Sequence, residues 1–181
     1  MSEFLDTYLD KADRFGSVVR QVPPGGWSAQ SPCDKWTAAD VVDHVVDTER
    51  EFFSRHDLDL GHRPKGSPVE VWQRHLDAVR SVLGDGSVLA RTFDGHFGPA
   101  TIGATLVSFY GLDLVVHRWD LARSAGSDAT FSDEEMDLLD RGIELFGEHM
   151  YDEGVFAPAV PAPPDATRQE RLLAVMGRPP R

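Results

Sequence analysis

The chain has 181 residues, 41% hydrophobic and 27% charged, the balance of an ordinary globular domain rather than a disordered segment. Its 30 acidic residues against 18 basic ones give a formal net charge of −12, which argues against nucleic acid and anionic membrane as partners. Cys33 is the one cysteine, so an intrachain disulfide and zinc sites built on several cysteines are excluded. No apolar run approaches the ~18 residues of a membrane span. The acidic N-terminus, MSEFLDTYLDKADRF, lacks the basic start and apolar run of a signal peptide. The expectation is a cytoplasmic protein in a reducing compartment.

Apolar residues recur at helical spacing nearly throughout. From Ser2 to about Val22, the series Leu5, Tyr8, Leu9, Ala12, Phe15, Val18, Val19, Val22 repeats at three and four, the signature of an amphipathic helix. Pro23, Pro24, Gly25 and Gly26 end it, and a loop containing Trp27, Cys33 and Trp36 follows. Thr37 with Asp40 reads as a capping box that starts a second helix, with Val41, Val42, Val45, Val46, Phe52 and Phe53 as its apolar face. Ser67, Pro68 and Glu70 start a third, with Val69, Trp72, Leu76, Val79 and Leu83 facing the core. The stretch from Gly84 to Pro99 is irregular, and Val88, Leu89, Thr92 and Phe93 suggest a short strand.

The fourth helix is expected from about Ala100 to Ala125, apolar over much of its circumference and therefore buried between other helices. Gly126 suits its C-cap. Ser132 with Glu135 opens a fifth helix to about Met150. The last segment is proline-rich, with Pro158, Pro161, Pro163, Pro164, Pro179 and Pro180, and reads as an arm with one short helix at Arg168 to Met176. The pattern predicts an all-α bundle over residues 1–155 and an extended C-terminal arm over residues 156–181 that carries the short helix.

Within FYGLDLVVHRWDLA on the fourth helix, Asp113 and His117 are four residues apart and share one face. Leu106, Tyr110, Asp120 and Leu121 fall on the same face at about 100° per residue. An ionisable pair on so apolar a helix carries a desolvation cost unless both members are satisfied. Either they bond each other or they share a cation. His44, in VVDHVVDT on the second helix, lies at the margin of that helix's apolar stripe. The three together have the composition of an open zinc site, or of a two-histidine, one-carboxylate site for iron or nickel.

Asp43, Asp47 and Asp120 are candidates to orient the histidines, with surface charge as the simpler reading. Cys33 precedes a helix N-terminus, where a thiol pKa can fall, against the simpler reading of a buried structural cysteine. His56, His62, His75, His96 and His149 share no ligand spacing and read as solvated. Trp72 and Trp119 read as core. Arg118 and Arg123 read as solvent-facing, though they flank the candidate site. Val155 and Phe156 are apolar residues suited to a homodimer contact.

Two segments, SPCDKWTAADVVDHVVDTE and FYGLDLVVHRWDLARSAG, resemble the DinB-like superfamily. More narrowly they are similar to the N-terminal domain of mycothiol-dependent maleylpyruvate isomerases. The resemblance implies a four-helix bundle binding a divalent metal (zinc first, with nickel or iron as alternatives) through His44, Asp113 and His117. It further implies mycothiol as a thiol cofactor, with transfer to or isomerisation of a small electrophilic substrate. Two departures accompany it. The isomerases carry glutamate where Asp113 stands, and 181 residues leave no room for their additional C-terminal domain. Two other readings remain open from the residues: a zinc-dependent hydrolase, and a non-catalytic metal-binding or interaction module.

Overall fold

The computed structural model describes residues 3–33, 35–152 and 155–179. Ser2, Pro180 and Arg181, which the sequence places in the first helix and the arm, lie outside the described residues. The fold is mostly helical, with one two-stranded sheet. Four helices make the bundle: α1 (Glu3–Gln21), α2 (Ala38–Arg55), α3 (Pro68–Leu83) and α5 (Leu112–Ser124). Helices α1 and α2 each pack against both α3 and α5, so the four form a closed ring of neighbours. Capping boxes start α2 at Thr37/Asp40 and α3 at Ser67/Glu70. In each, a side-chain oxygen and a carboxylate satisfy N–H groups that have no partner inside the helix.

The long fourth helix differs from expectation. Ala100 and Thr101 belong to a hairpin, β1 (Thr92–Gly95) paired antiparallel with β2 (Gly98–Thr101). Val88 and Leu89, expected in a strand, instead form a 3-10 turn over Val88–Ala90. The helix proper starts as α4 (Ile102–Thr105), where the Thr101 hydroxyl accepts from the Ala104 N–H. It then widens into a π-helix over Leu106–Gly111 before continuing as α5. π-helical turns are rare and concentrate at functional sites, and this one directly precedes Asp113.

Helix α5 is buried on two sides, which explains why its sequence is apolar nearly all round. Leu114 and Leu121 join the core between α1, α2 and α3, with Tyr8, Phe15, Phe53 and Trp72. Leu112, Val115, Val116, Trp119 and Ala122 face a second core. That core is completed by α6 (Asp133–Phe146), Met150 and α7 (Arg168–Val175) through Leu139, Leu172, Leu173 and Met176. Helix α6 ends at Phe146, short of the expected Met150, because Gly147 turns the backbone to φ +51° and a 3-10 turn over Gly147–Tyr151 follows. Among the described residues no helix is long and apolar enough to cross a membrane.

Candidate metal centre

His44 comes from the middle of α2, and Asp113 and His117 from the first two turns of α5. Packing of α2 against α5 brings the three together, and one ligating atom from each lies within 4.8 Å of the others. His44 Nε2 is 3.7 Å from Asp113 Oδ2, and His117 Nε2 is 3.3 Å from Asp113 Oδ1. The first distance is too long for a hydrogen bond. Both are close to the separation of about 3.4 Å between donors that share one tetrahedral ion with bonds of about 2.1 Å. Two imidazoles and a carboxylate at this spacing fit a divalent cation. No fourth His, Cys, Asp or Glu joins them among the described residues, the pattern of a site that keeps a coordination position open.

Burial within the site is graded. The His117 side chain is 4% exposed, whereas His44 and Asp113 are 25% and 26% exposed, so the approach is from their side. The Trp36 ring stands over both histidines, its centroid 4.5 Å from that of His44 and 5.7 Å from that of His117. A cavity of about 210 Å³ opens beside the site, lined by His44 and Asp113 together with Thr48, Phe109, Tyr110, Leu112, Phe146, Val155 and Phe156.

The electrostatics follow from this packing. Burial alone would raise the Asp113 carboxyl, but the two flanking imidazoles hold it well below the usual carboxylate range. Burial also opposes a charge on His117, yet Asp113 and Asp120 outweigh it and raise that imidazole to about 9. The Tyr110 phenol is pushed up by burial and by the nearby Glu49 and Asp113 carboxylates, and stays protonated.

Of the three aspartates proposed to orient histidines, only Asp120 does so. It is fully buried, and its Oδ2 lies 2.9 Å from His117 Nδ1. Asp43 and Asp47 are exposed and pair with Arg63 instead. Two expectations are corrected. His75 is not solvated: it is fully buried, with Nε2 2.7 Å from Glu49 Oε2, which also accepts from the Tyr8 hydroxyl. The spacing from Trp72 to His75 to Val79 already places it on the core face of α3. Arg118 does not face solvent: it is 5% exposed and forms a two-pronged pair with Glu135 at 2.7 and 2.9 Å. Arg123 is exposed, with its guanidinium over Trp119. Trp72 and Trp119 are buried in the core. His62, His96 and His149 are exposed, while His56 is half-buried against Phe52 and Phe93. Cys33 is half-buried, its Sγ 3.6 Å from Arg178 Nη2. Trp36 and Arg178 were not anticipated at the site; both reach it from irregular segments without periodicity.

The mostly helical bundle is consistent with the DinB-like fold. The chain belongs to the mycothiol maleylpyruvate isomerase N-terminal domain family, whose model matches residues 8–122. It is also similar to uncharacterized proteins from two strains of Mycobacterium tuberculosis, each 24% identical over 170 residues that span 92% of both chains. No solved structure matches it significantly.

Proposed function

We propose that this protein is a divalent-metal, small-thiol-dependent transferase or isomerase acting on an apolar electrophile. The observation that carries the reading is the open three-donor site, two of whose members, His44 and Asp113, line a cleft. His44, Asp113 and His117 would hold the ion, zinc in the first instance. A bound ion would stabilise a coordinated thiol as its thiolate at neutral pH, supplying the nucleophile. Family membership favours mycothiol as that thiol.

The chain's own groups define the rest. Asp120 fixes His117 so that Nε2, not Nδ1, faces Asp113. Trp36 shields one side of both imidazoles from water. Phe109, Leu112, Phe146, Val155 and Phe156 line the mouth with apolar surface, and among the described residues no Lys or Arg lines it. A dicarboxylate would find no counter-charge there, on a protein already at −12. The substrate class favoured is therefore uncharged and apolar near its reacting carbon. Tyr110, held protonated, offers a hydrogen bond to negative charge developing on that substrate.

A purely structural metal site is disfavoured because it would require a fourth donor. A polar network without metal is disfavoured because the 3.7 Å gap between His44 and Asp113 leaves that contact unmade. The test is calorimetric titration of mycothiol into zinc-loaded protein. Saturable binding at or below millimolar thiol supports the reading, and no binding to a filled site removes the thiol role.

A further inference from the structure

The C-terminal arm reaches Asp120, the partner of His117 Nδ1. Helix α7 packs on α6, and Met176 is fully buried in the second core. The chain then reverses at Gly177, at φ +77°, where a Cβ would meet Ala157 Cβ at 2.6 Å. Only glycine meets both demands. The reversal turns Arg178 inward, with its N–H donating to the Leu173 carbonyl at 2.9 Å. The side chain is 4% exposed. Its Nε donates to Asp120 Oδ1 at 3.2 Å and its Nη2 to Asp120 Oδ2 at 2.7 Å. Its Nη1 donates to the Met176 carbonyl at 2.8 Å.

Asp120 Oδ2 is the oxygen that holds His117 Nδ1. The sequence Arg178–Asp120–His117 is thus one buried chain of bonds ending at the candidate ligand atom, His117 Nε2. A planar guanidinium that grips both oxygens fixes the plane of the carboxylate, which a single bond from the imidazole does not. We propose that Arg178 is a positioning residue of the metal centre: its guanidinium sets the orientation of His117 through Asp120. The proposal rests on the reading of His44, Asp113 and His117 as metal ligands. It extends that site to a residue 58 positions from Asp120 in sequence, carried by a segment beyond the matched region of residues 8–122.

Outer partners of metal-bound histidines are typically worth about 10- to 100-fold in metal affinity. The experiment compares full-length wild type with Arg178→Met, Arg178→Lys and Leu173→Ala. Leu173 is 3% exposed in the same core, so its truncation costs apolar packing while every bond from Arg178 to Asp120, and the Leu173 backbone carbonyl that holds Arg178, stays in place. Cobalt(II) dissociation constants and d–d spectra are measured alongside melting temperature. The expected result is a loss of about 10- to 100-fold in cobalt affinity, with an altered spectrum, for Arg178→Met. Arg178→Lys, which restores the charge without the fork, should fall between that variant and wild type. Leu173→Ala should keep wild-type affinity and spectrum despite its lower melting temperature. Arg178→Met and Leu173→Ala weakening cobalt binding equally, or Arg178→Met leaving it unchanged, would overturn the proposal. Should Arg178→Met not fold, Arg178→Lys against Leu173→Ala decides by the same criteria.

A metal-free readout separates this proposal from the metal reading itself. The His117 Nδ1–H resonance, buried on Asp120, should persist in wild type and Leu173→Ala and be lost to exchange in Arg178→Met. Wild type that binds no cobalt overturns the metal reading. Survival of that resonance in Arg178→Met overturns the positioning role.

Discussion

His117 Nδ1 lies 2.9 Å from Asp120 Oδ2, so one nitrogen of this imidazole is committed to the helix and the other is turned to Asp113. The two residues are three apart on α5, a spacing that puts them on adjacent positions of the same helical face. Asp120 is fully buried, and its contact with His117 turns an otherwise rotatable ring into a fixed donor. This gives Asp120→Asn a definite expectation. The amide is uncharged and presents an NH₂ group as well as an oxygen. It should weaken metal binding by about 10- to 100-fold while the helical content stays at the wild-type level. Competition with a chromophoric chelator, read beside far-ultraviolet circular dichroism, measures both.

The same pair predicts how metal-free protein responds to pH. The folded-state value of His117 is raised above the ordinary 6.5 to about 9 by Asp113 and Asp120. A group raised in this way contributes stability that is fully present below about 6.5 and is lost as pH rises through about 9. The melting temperature of metal-free protein should therefore fall between these values. His117→Gln should flatten that decline. Binding of a metal must displace the same proton, so apparent metal affinity should rise with pH over the same window. Melting curves of wild type and His117→Gln in chelator, across that range, check the sign.

Away from the metal centre, the Tyr8–Glu49–His75 cluster joins α1, α2 and α3 inside the first core. Each of the three is at most 1% exposed. Tyr8→Phe removes one partner of a carboxylate that keeps another, and should cost about 1 kcal/mol. Glu49→Leu strands a buried hydroxyl and a buried imidazole together, and should cost about 3 kcal/mol or more. Urea denaturation of the two variants should show that difference in midpoint with little change in slope.

The second core makes a simpler demand. Leu139 is fully buried between α5 and α6. Leu139→Ala should cost about 2–5 kcal/mol through lost burial and the cavity left behind. Because the metal donors sit on α2 and the cleft side of α5, metal stoichiometry should be unchanged in whatever fraction folds. Thermal unfolding with parallel metal analysis separates the two effects.

The three candidate ligands were legible in the sequence because helical spacing alone puts Asp113 and His117 on one face, and because polar groups stand out on so apolar a helix. The double burial of α5 was legible for the same reason. Its π-helical lead-in was not, since nothing in LVSFYG marks a register change. His75 carried a signal in its spacing from Trp72 and Val79, but a histidine's polarity weighed against it. Arg118 carried none: on a helix buried on two sides, periodicity does not tell inward from outward, and its partner Glu135 lies on another helix. Arg178 was the least accessible of all. Its role depends on a glycine reversal and on a carboxylate contributed by a distant helix, neither of which leaves a local pattern.

One divalent ion should bind between α2 and α5. Elemental analysis of purified protein, beside His44→Ala and His117→Ala, tests it most directly. Wild-type protein should hold about one equivalent of zinc, nickel or iron per chain, lost in both folded variants. Wild type free of metal after incubation with these ions, or both variants retaining a full equivalent, would contradict it.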